Sequence, residues 1–279
     1  MLMVHRFQAT LFPVNAYLVE TDRGVVIIDS TLGVSDGRAL RARAESLGKP
    51  LLAVVITHAH PDHYGAVTSV LEGLDVPIIA TEGVDRVIRR DDEAKERILR
   101  PMFGAEWTAQ RTFPNRTVRA GQRMVFDGVT FTVIDLGPGE SPHDSVWLVD
   151  RGGQSAPLAF VGDLVYGHMH AYLADGYFEQ WLGNLERARR EIPADTILYM
   201  GHGEPGPAAS LFDWQAAYIR TFIDAVRATE RSAGQGAADD AATTAVLARM
   251  KQYLPSDDLF FLMQLSVAPV RARIASTRC

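Results

Sequence analysis

Short runs of Val, Ile and Leu alternate along the chain with longer segments whose apolar residues recur every three or four positions, the pattern of a layered α/β fold. NAYLVE at 15–20 and VVIID at 25–29 flank Asp22, Arg23 and Gly24, which predicts a hairpin. Leu40, Ala44 and Leu47 predict a helix over 35–47, capped by Ser35. LLAVVI at 51–56 is apolar throughout and reads as a buried strand, and PIIA at 77–80 as another. A short helix is expected over 64–73, and the charged stretch 85–99 has helical composition. A second hairpin turns at Asp127 and Gly128, between 123–126 and 129–135, with further strands at 145–150, 158–161 and 196–200. Phe178, Trp181, Leu182, Leu185 and Ala188 mark an amphipathic helix that ends before Pro193.

Past Pro207 the strand signals cease, and helices are expected at roughly 208–230, 239–253 and 257–274. This divides the chain into a core, 1–206, and a helical C-terminal extension, 207–279, packed on it as a lid or a subunit contact. SAGQGAADD at 232–240 reads as a linker, whereas LFFLMQLSV at 259–267 is apolar on nearly every side and predicts burial against the core or a second subunit.

Composition narrows the function. With 279 residues, 47% hydrophobic and 22% charged, the chain can bury a substantial core. Its net charge of −6 supplies no overall positive field, so a nucleic-acid partner is not expected. Neither a signal-like N-terminus nor a run of about 20 apolar residues is present, so a cytoplasmic location without membrane association is expected. The single cysteine is Cys279, so a metal ion would have to be held by His and carboxylate.

Three of the eight histidines fall in THAHPDHY at 57–64, directly after a predicted buried strand. Alternating His58 and His60 can chelate one ion, while adjacent Asp62 and His63 turn toward a second; imidazole and carboxylate suit zinc and related divalent ions. Downstream, GPGESPHDS at 137–145, FVGD at 160–163 and MGHGEP at 200–205 each follow a predicted strand. This series resembles the metallo-β-lactamase superfamily, with its HxHxDH motif, over about residues 12–206.

The resemblance implies an αββα sandwich with two divalent metal ions at one edge, zinc first and manganese or iron also open. It implies the ligands His58, His60, Asp62, His63, His143, Asp163 and His202, with Asp163 shared between both ions. His143 stands between Pro142 and Asp144, a departure from the family's usual GHT or GHS. Asp29 falls at the family's buried aspartate, where it would orient a ligand histidine or cap loop amides. A metal-bridging hydroxide is the implied nucleophile, with Asp62 taking or passing its proton.

Asp163 points away from the true β-lactamases, which lack it, and toward the lactonase and glyoxalase II-like branches. His60 stands where flavodiiron proteins carry glutamate. Tyr166, three residues past Asp163, matches a substrate-binding tyrosine of acyl homoserine lactonases, or else is a core tyrosine. His168 and His170 are expected to be surface or pocket residues rather than ligands of a third ion. The reading is a hydrolase of a carboxylic ester, lactone or thioester in a small-molecule substrate, acting as a monomer or homodimer. Phosphodiester hydrolysis and a metal-bound sensor with little turnover are the alternatives.

Overall fold

The structure is a computed structural model that describes residues 2–150, 152, 156–232 and 239–276. Two six-stranded sheets pack face to face. In the first, the strands run β1 (Met3–Gln8), β2 (Asn15–Glu20), β3 (Val25–Ile28), β4 (Leu51–Val55), β5 (Ile78–Thr81) and β6 (Arg116–Val118), in that spatial order. The first three are antiparallel, and β3 through β6 are parallel. The second sheet is ordered β12 (Gly206–Pro207), β11 (Ile197–Gly203), β10 (Leu158–Gly167), β9 (Asp144–Val149), β8 (Val129–Gly137) and β7 (Arg123–Phe126), with only β10 and β11 parallel.

Alternation along the strands explains the layers. Tyr17, Val19, Val26, Ile28, Val55 and Ile79 face Phe131, Val133, Trp147, Val149 and Phe160 between the sheets. Leu18, Ile27, Val54 and Ile56 face outward onto α1 (Val34–Glu45), α3 (Val67–Leu71) and α4 (Glu82–Phe103). On the far side, Ile134, Val146, Ala159 and Leu198 are covered by α5 (Phe178–Glu191), α6 (Ala208–Ser232), α7 (Asp239–Tyr253) and α8 (Phe260–Ser276). The result is the αββα sandwich. Burying one of these large side chains contributes about 1.5–3 kcal/mol, so the three apolar layers dominate the folding energy.

Several local expectations change. Ser35 lies inside α1 rather than capping it: Gly33 is the cap, and the Ser35 amide and hydroxyl both donate to Glu106 at 2.9 Å. The helix expected at 85–99 runs from 82 to 103, because Thr81 caps it by accepting from the Val84 amide and Pro101 does not end it. The 158–161 strand continues to Gly167 through register shifts around Gly162, whose φ of +52° lets the strand bulge. β6 and β12 had no periodicity to reveal them. Most of the 232–240 segment and Cys279 lie outside the described residues.

Candidate metal centre

β4 feeds directly into residues 57–64, at the edge where the sheets meet. A bridge between His58 and Asp144, and bonds from the Ser145 amide (3.0 Å) and hydroxyl (2.6 Å) to the Thr57 carbonyl, join the two sheets there. Pro61 opens the short helix α2 (Pro61–Tyr64), where its missing N–H costs nothing, and His60 precedes it in extended conformation. His58 and His60 therefore project from extended chain while Asp62 and His63 project from a helical turn. This change of backbone sends the two pairs to different groups.

The first group contains His58, His60, Glu140 and Asp163; the second contains Asp62, His63 and His202. Asp163 stands between them. Its Oδ2 lies 4.0 Å from His58 Nε2 and 3.1 Å from His202 Nε2, and its Oδ1 3.3 Å from His63 Nε2. Asp62 Oδ2 is 3.3 Å from His202 Nε2 and 3.6 Å from His63 Nε2. Gly201 makes this convergence possible, because a Cβ there would come within 2.1 Å of Asp163 Oδ1 and 2.4 Å of the His63 ring.

Three of the four histidines are oriented from behind by a carboxylate or carbonyl. His63 Nδ1 meets Asp29 Oδ2 at 2.8 Å, His202 Nδ1 donates to the Pro13 carbonyl at 2.6 Å, and His60 Nε2 meets Asp175 Oδ2 at 3.0 Å. Such contacts fix the tautomer that turns the other ring nitrogen inward. Asp29 also accepts from the Thr57 amide and hydroxyl, both at 2.7 Å, so the buried carboxylate both caps the loop and aligns a histidine.

The donor set fits divalent metal. His58 Nε2, His63 Nε2, Glu140 Oε2 and Asp163 Oδ1 are all buried without a well-formed hydrogen bond, their nearest polar neighbours being one another and His60 Nδ1, which is 3.0 Å from Glu140 Oε2. Buried ligand atoms that turn chiefly toward one another suit an ion held between them. Among the protein groups alone, burial and the neighbouring His63 hold His58 well below the usual imidazole range. Burial also disfavours the charged forms of His63 and His202. The Asp163 and Asp62 carboxylates outweigh it, raising His63 well above its ordinary value and His202 to about 10. Burial lifts Glu140 to about 8 against the pull of His60.

The structure places one candidate apart from the others. It brings together His58, His60, Asp62, His63, Asp163 and His202, but His143 is in neither group. Its Nε2 pairs with Asp135 at 2.5 Å, and its ring fills the space above Gly83, where a Cβ would come within 2.0 Å. Glu140, three residues earlier in the same segment, stands in its place. The Asp144 carboxylate accepts from the amides of Glu140 (2.6 Å) and Ser141 (3.1 Å), closing a turn that points Glu140 inward. The only signal in the sequence was a glutamate directly after Pro138–Gly139 in the same segment; in the structure it is fully buried, with His60 Nδ1 3.0 Å from its Oε2. Asp175 lay in a loop with no motif to mark it.

Tyr166 is buried beside the centre. Its hydroxyl donates to Glu140 Oε1 at 2.8 Å, and its ring stacks on His202 at 5.1 Å and 13°. Burial and the Asp163 and Glu140 carboxylates raise the phenol well above its usual range, so it remains a donor. His170 is tied to the Tyr218 hydroxyl (3.0 Å) and the Ser256 carbonyl (3.1 Å), and His168 packs against Trp214. Neither histidine joins a candidate metal group among the described residues.

A cavity of about 350 Å³ opens onto the centre, reaching His60, Asp62, Asp163, Tyr166 and His202 at its floor. Phe12, Leu32, Leu99, Phe103, Leu262 and Leu265 form much of its wall. Lys95 is the only Lys or Arg among its described lining residues, and its ammonium is turned to the Ala59 carbonyl.

Fold and site define a metal-binding αββα protein. The Metallo-beta-lactamase superfamily profile matches residues 9–202, and the chain belongs to that superfamily, whose members are mostly hydrolases. It is 42% identical to the uncharacterized Bacillus subtilis protein YobT, across 71% of this chain and 86% of that one. It is 29% identical to a hydroxyacylglutathione hydrolase of Cupriavidus metallidurans over 56% of this chain, spanning about half (51%) of that relative. A beta-lactamase domain protein from Burkholderia ambifaria has the same fold, with a TM-score of 0.71 over 99% of this chain and 86% of its own at 18% identity. No helix among the described residues is long and apolar enough to cross a membrane.

Proposed function

We propose that this chain is a dinuclear metal-dependent hydrolase of a carboxylic ester, lactone or thioester in a small apolar molecule. The observation that carries the reading is the convergence of seven His, Asp and Glu ligand atoms in two buried groups, of which His60, Asp62, Asp163 and His202 reach the floor of the cavity. His58, His60, Glu140 and Asp163 would hold one ion and Asp62, His63 and His202 the other, with Asp163 between them. Divalent ions held there lower the pKa of water and polarise a carbonyl.

The protein groups do the rest. The Asp62 carboxyl lies 3.3 Å from His202 Nε2 and 3.6 Å from His63 Nε2 and lines the cavity. There it could accept a proton from attacking water and return it to the leaving group. Tyr166 holds Glu140 by its hydroxyl and presents its ring to the cavity. Asp29, Pro13 and Asp175 keep the histidines aligned. The name hydroxyacylglutathione hydrolase, borne by a relative, adds weight to thioesters. Phosphodiesters fit less well, because Asp62, Asp91, Asp163 and Asp175 line the cavity with no free cation beside them among its described lining residues.

Protein loaded with zinc or manganese should hydrolyse members of an ester, lactone and thioester panel. Asp62→Asn should lose at least about a hundredfold in turnover with its fold retained. A folded, metal-loaded protein that cleaves only an aryl phosphodiester, or nothing on the panel, would refute the reading.

A further inference from the structure

We infer that the cavity between α4 and α8 is an acyl-chain groove, so the substrate carries a linear aliphatic chain of several carbons next to its scissile carbonyl. This rests on the hydrolase reading above and names the substrate class of the same site. Eight large hydrophobic side chains are exposed among the described residues, and four of them, Ile98, Met102, Phe261 and Leu265, line this one cavity. They are 60%, 68%, 49% and 59% exposed, so α4 and α8 each turn two apolar side chains to solvent at its mouth. Isolated exposed apolar residues need no explanation, but a cluster on two helices around one opening does.

The apolar surface is continuous from mouth to floor. Phe261 meets Phe12 edge to face at 5.9 Å, and Phe12 meets the His202 ring at 6.0 Å. Leu99, Phe103 and Leu262 fill in the walls. A chain lying along this row would bring its first carbon to the metal groups and leave its last at Met102 and Leu265. The basic residues on this stretch of α4 are engaged elsewhere, Arg97 with Glu93 at 2.6 Å, Arg100 with Glu96 and Lys95 with the Ala59 carbonyl, while Asp91 lines the cavity. No Lys or Arg in the described lining is left at the mouth to receive an anionic headgroup or a polyanionic carrier. The volume, about 350 Å³, lies at the small end for ligand pockets and is room enough for a chain of several carbons.

Two series test this on the metal-loaded protein: kcat/KM for aryl esters and thioesters with acyl chains of two to ten carbons, and calorimetric binding of the matching free alkanoates. Each methylene that enters the groove should raise both quantities about twofold to fourfold. In Met102→Asp/Leu265→Asp, which alters only exposed positions, the slope should fall by at least half. In Val125→Asp, exposed on β7, it should not change.

Hydrolysis whose rate is flat with chain length, accompanied by flat alkanoate affinity, would overturn the groove. Rising alkanoate affinity without hydrolysis of any ester, lactone or thioester would support the groove while refuting the hydrolase reading. A concentration-dependent dimer that is abolished by Leu265→Asp, with a flat chain-length series, would make the mouth a subunit contact and overturn the inference.

Discussion

Asp29→Asn tests whether the centre depends on the tautomer of one histidine. The substitution preserves volume, and Asn tolerates the left-handed backbone that Asp29 adopts at φ +57°. Asp29 accepts three hydrogen bonds: Oδ1 from the Thr57 amide at 2.7 Å, Oδ2 from the Thr57 hydroxyl at 2.7 Å and from His63 Nδ1 at 2.8 Å. The Thr57 amide cannot rotate, so the asparagine oxygen should stay opposite it and its NH₂ should occupy the Oδ2 position. The threonine hydroxyl can turn to accept, but His63 Nδ1 must then accept as well. Its proton is forced onto Nε2, which is 3.3 Å from Asp163 Oδ1 and is the atom an ion would need.

A hydrogen bond to a charged group is worth about 1.5–3 kcal/mol, and about 1.4 kcal/mol is a factor of ten. The ion at Asp62, His63 and His202 should therefore bind roughly 10–100-fold more weakly, the range for lost ligand-orienting contacts. Titration against a chromophoric chelator would read the two affinities separately, and circular dichroism would check the fold. An unchanged affinity in folded Asp29→Asn would show that the carboxylate serves only to cap the Thr57 loop.

Tyr166→Phe separates two roles. If the hydroxyl chiefly positions Glu140, the variant should lose metal from the first group; if it chiefly contacts substrate, elemental analysis should show full metal with kcat/KM reduced about tenfold or more. Metal uptake should weaken with acid. His202, raised to about 10, and His63, raised well above its ordinary value, hold protons at neutral pH that an ion must displace. Apparent affinity should thus fall about tenfold per pH unit for each proton displaced as pH drops from 8 to 6, with proton release in unbuffered titrations; a pH-independent affinity would contradict the assignment. Glu140→His should raise the zinc-to-manganese ratio retained from an equimolar mixture, since imidazole favours zinc and carboxylate oxygen suits manganese. An unchanged ratio would mean that Glu140 is not a ligand.

Much of the fold was legible because strand burial in a sandwich writes itself into the sequence. LLAVVI had to be covered on both faces, and the Asp127–Gly128 hairpin is a local signal needing no tertiary context. What escaped was set by contacts distant in the chain. β6 exists because Ile79 and Thr81 offer a parallel edge to Arg116 and Val118, and three residues cannot display a period. Ser35 looked like a cap in isolation, but Glu106, 71 residues away, claims its amide. The apolar 259–267 segment was ambiguous for a related reason: one face of α8 is buried through Met263, Val267 and Val270, while Phe261 and Leu265 lie open on the other.

The centre was legible where one backbone segment dictates geometry and illegible where a turn does. His58, His60, Asp62 and His63 are fixed relative to one another by a strand end running into a helical turn, so their division between two groups follows from spacing. In 137–145, position along the chain says little, because the Asp144 carboxylate folds the segment back on the Glu140 and Ser141 amides. That turn sends Glu140 inward and His143 outward to Asp135. A metal-ligating histidine is thus not interchangeable with the nearest histidine in sequence. With Glu140 as a ligand, a carboxyl group would stand in place of an imidazole beside His58 and His60, in the group that also contains Asp163. Tyr166, buried and held as a phenol, donates to Glu140 Oε1 at 2.8 Å, and so a tyrosine and a glutamate that seem unrelated in sequence form one unit in the structure.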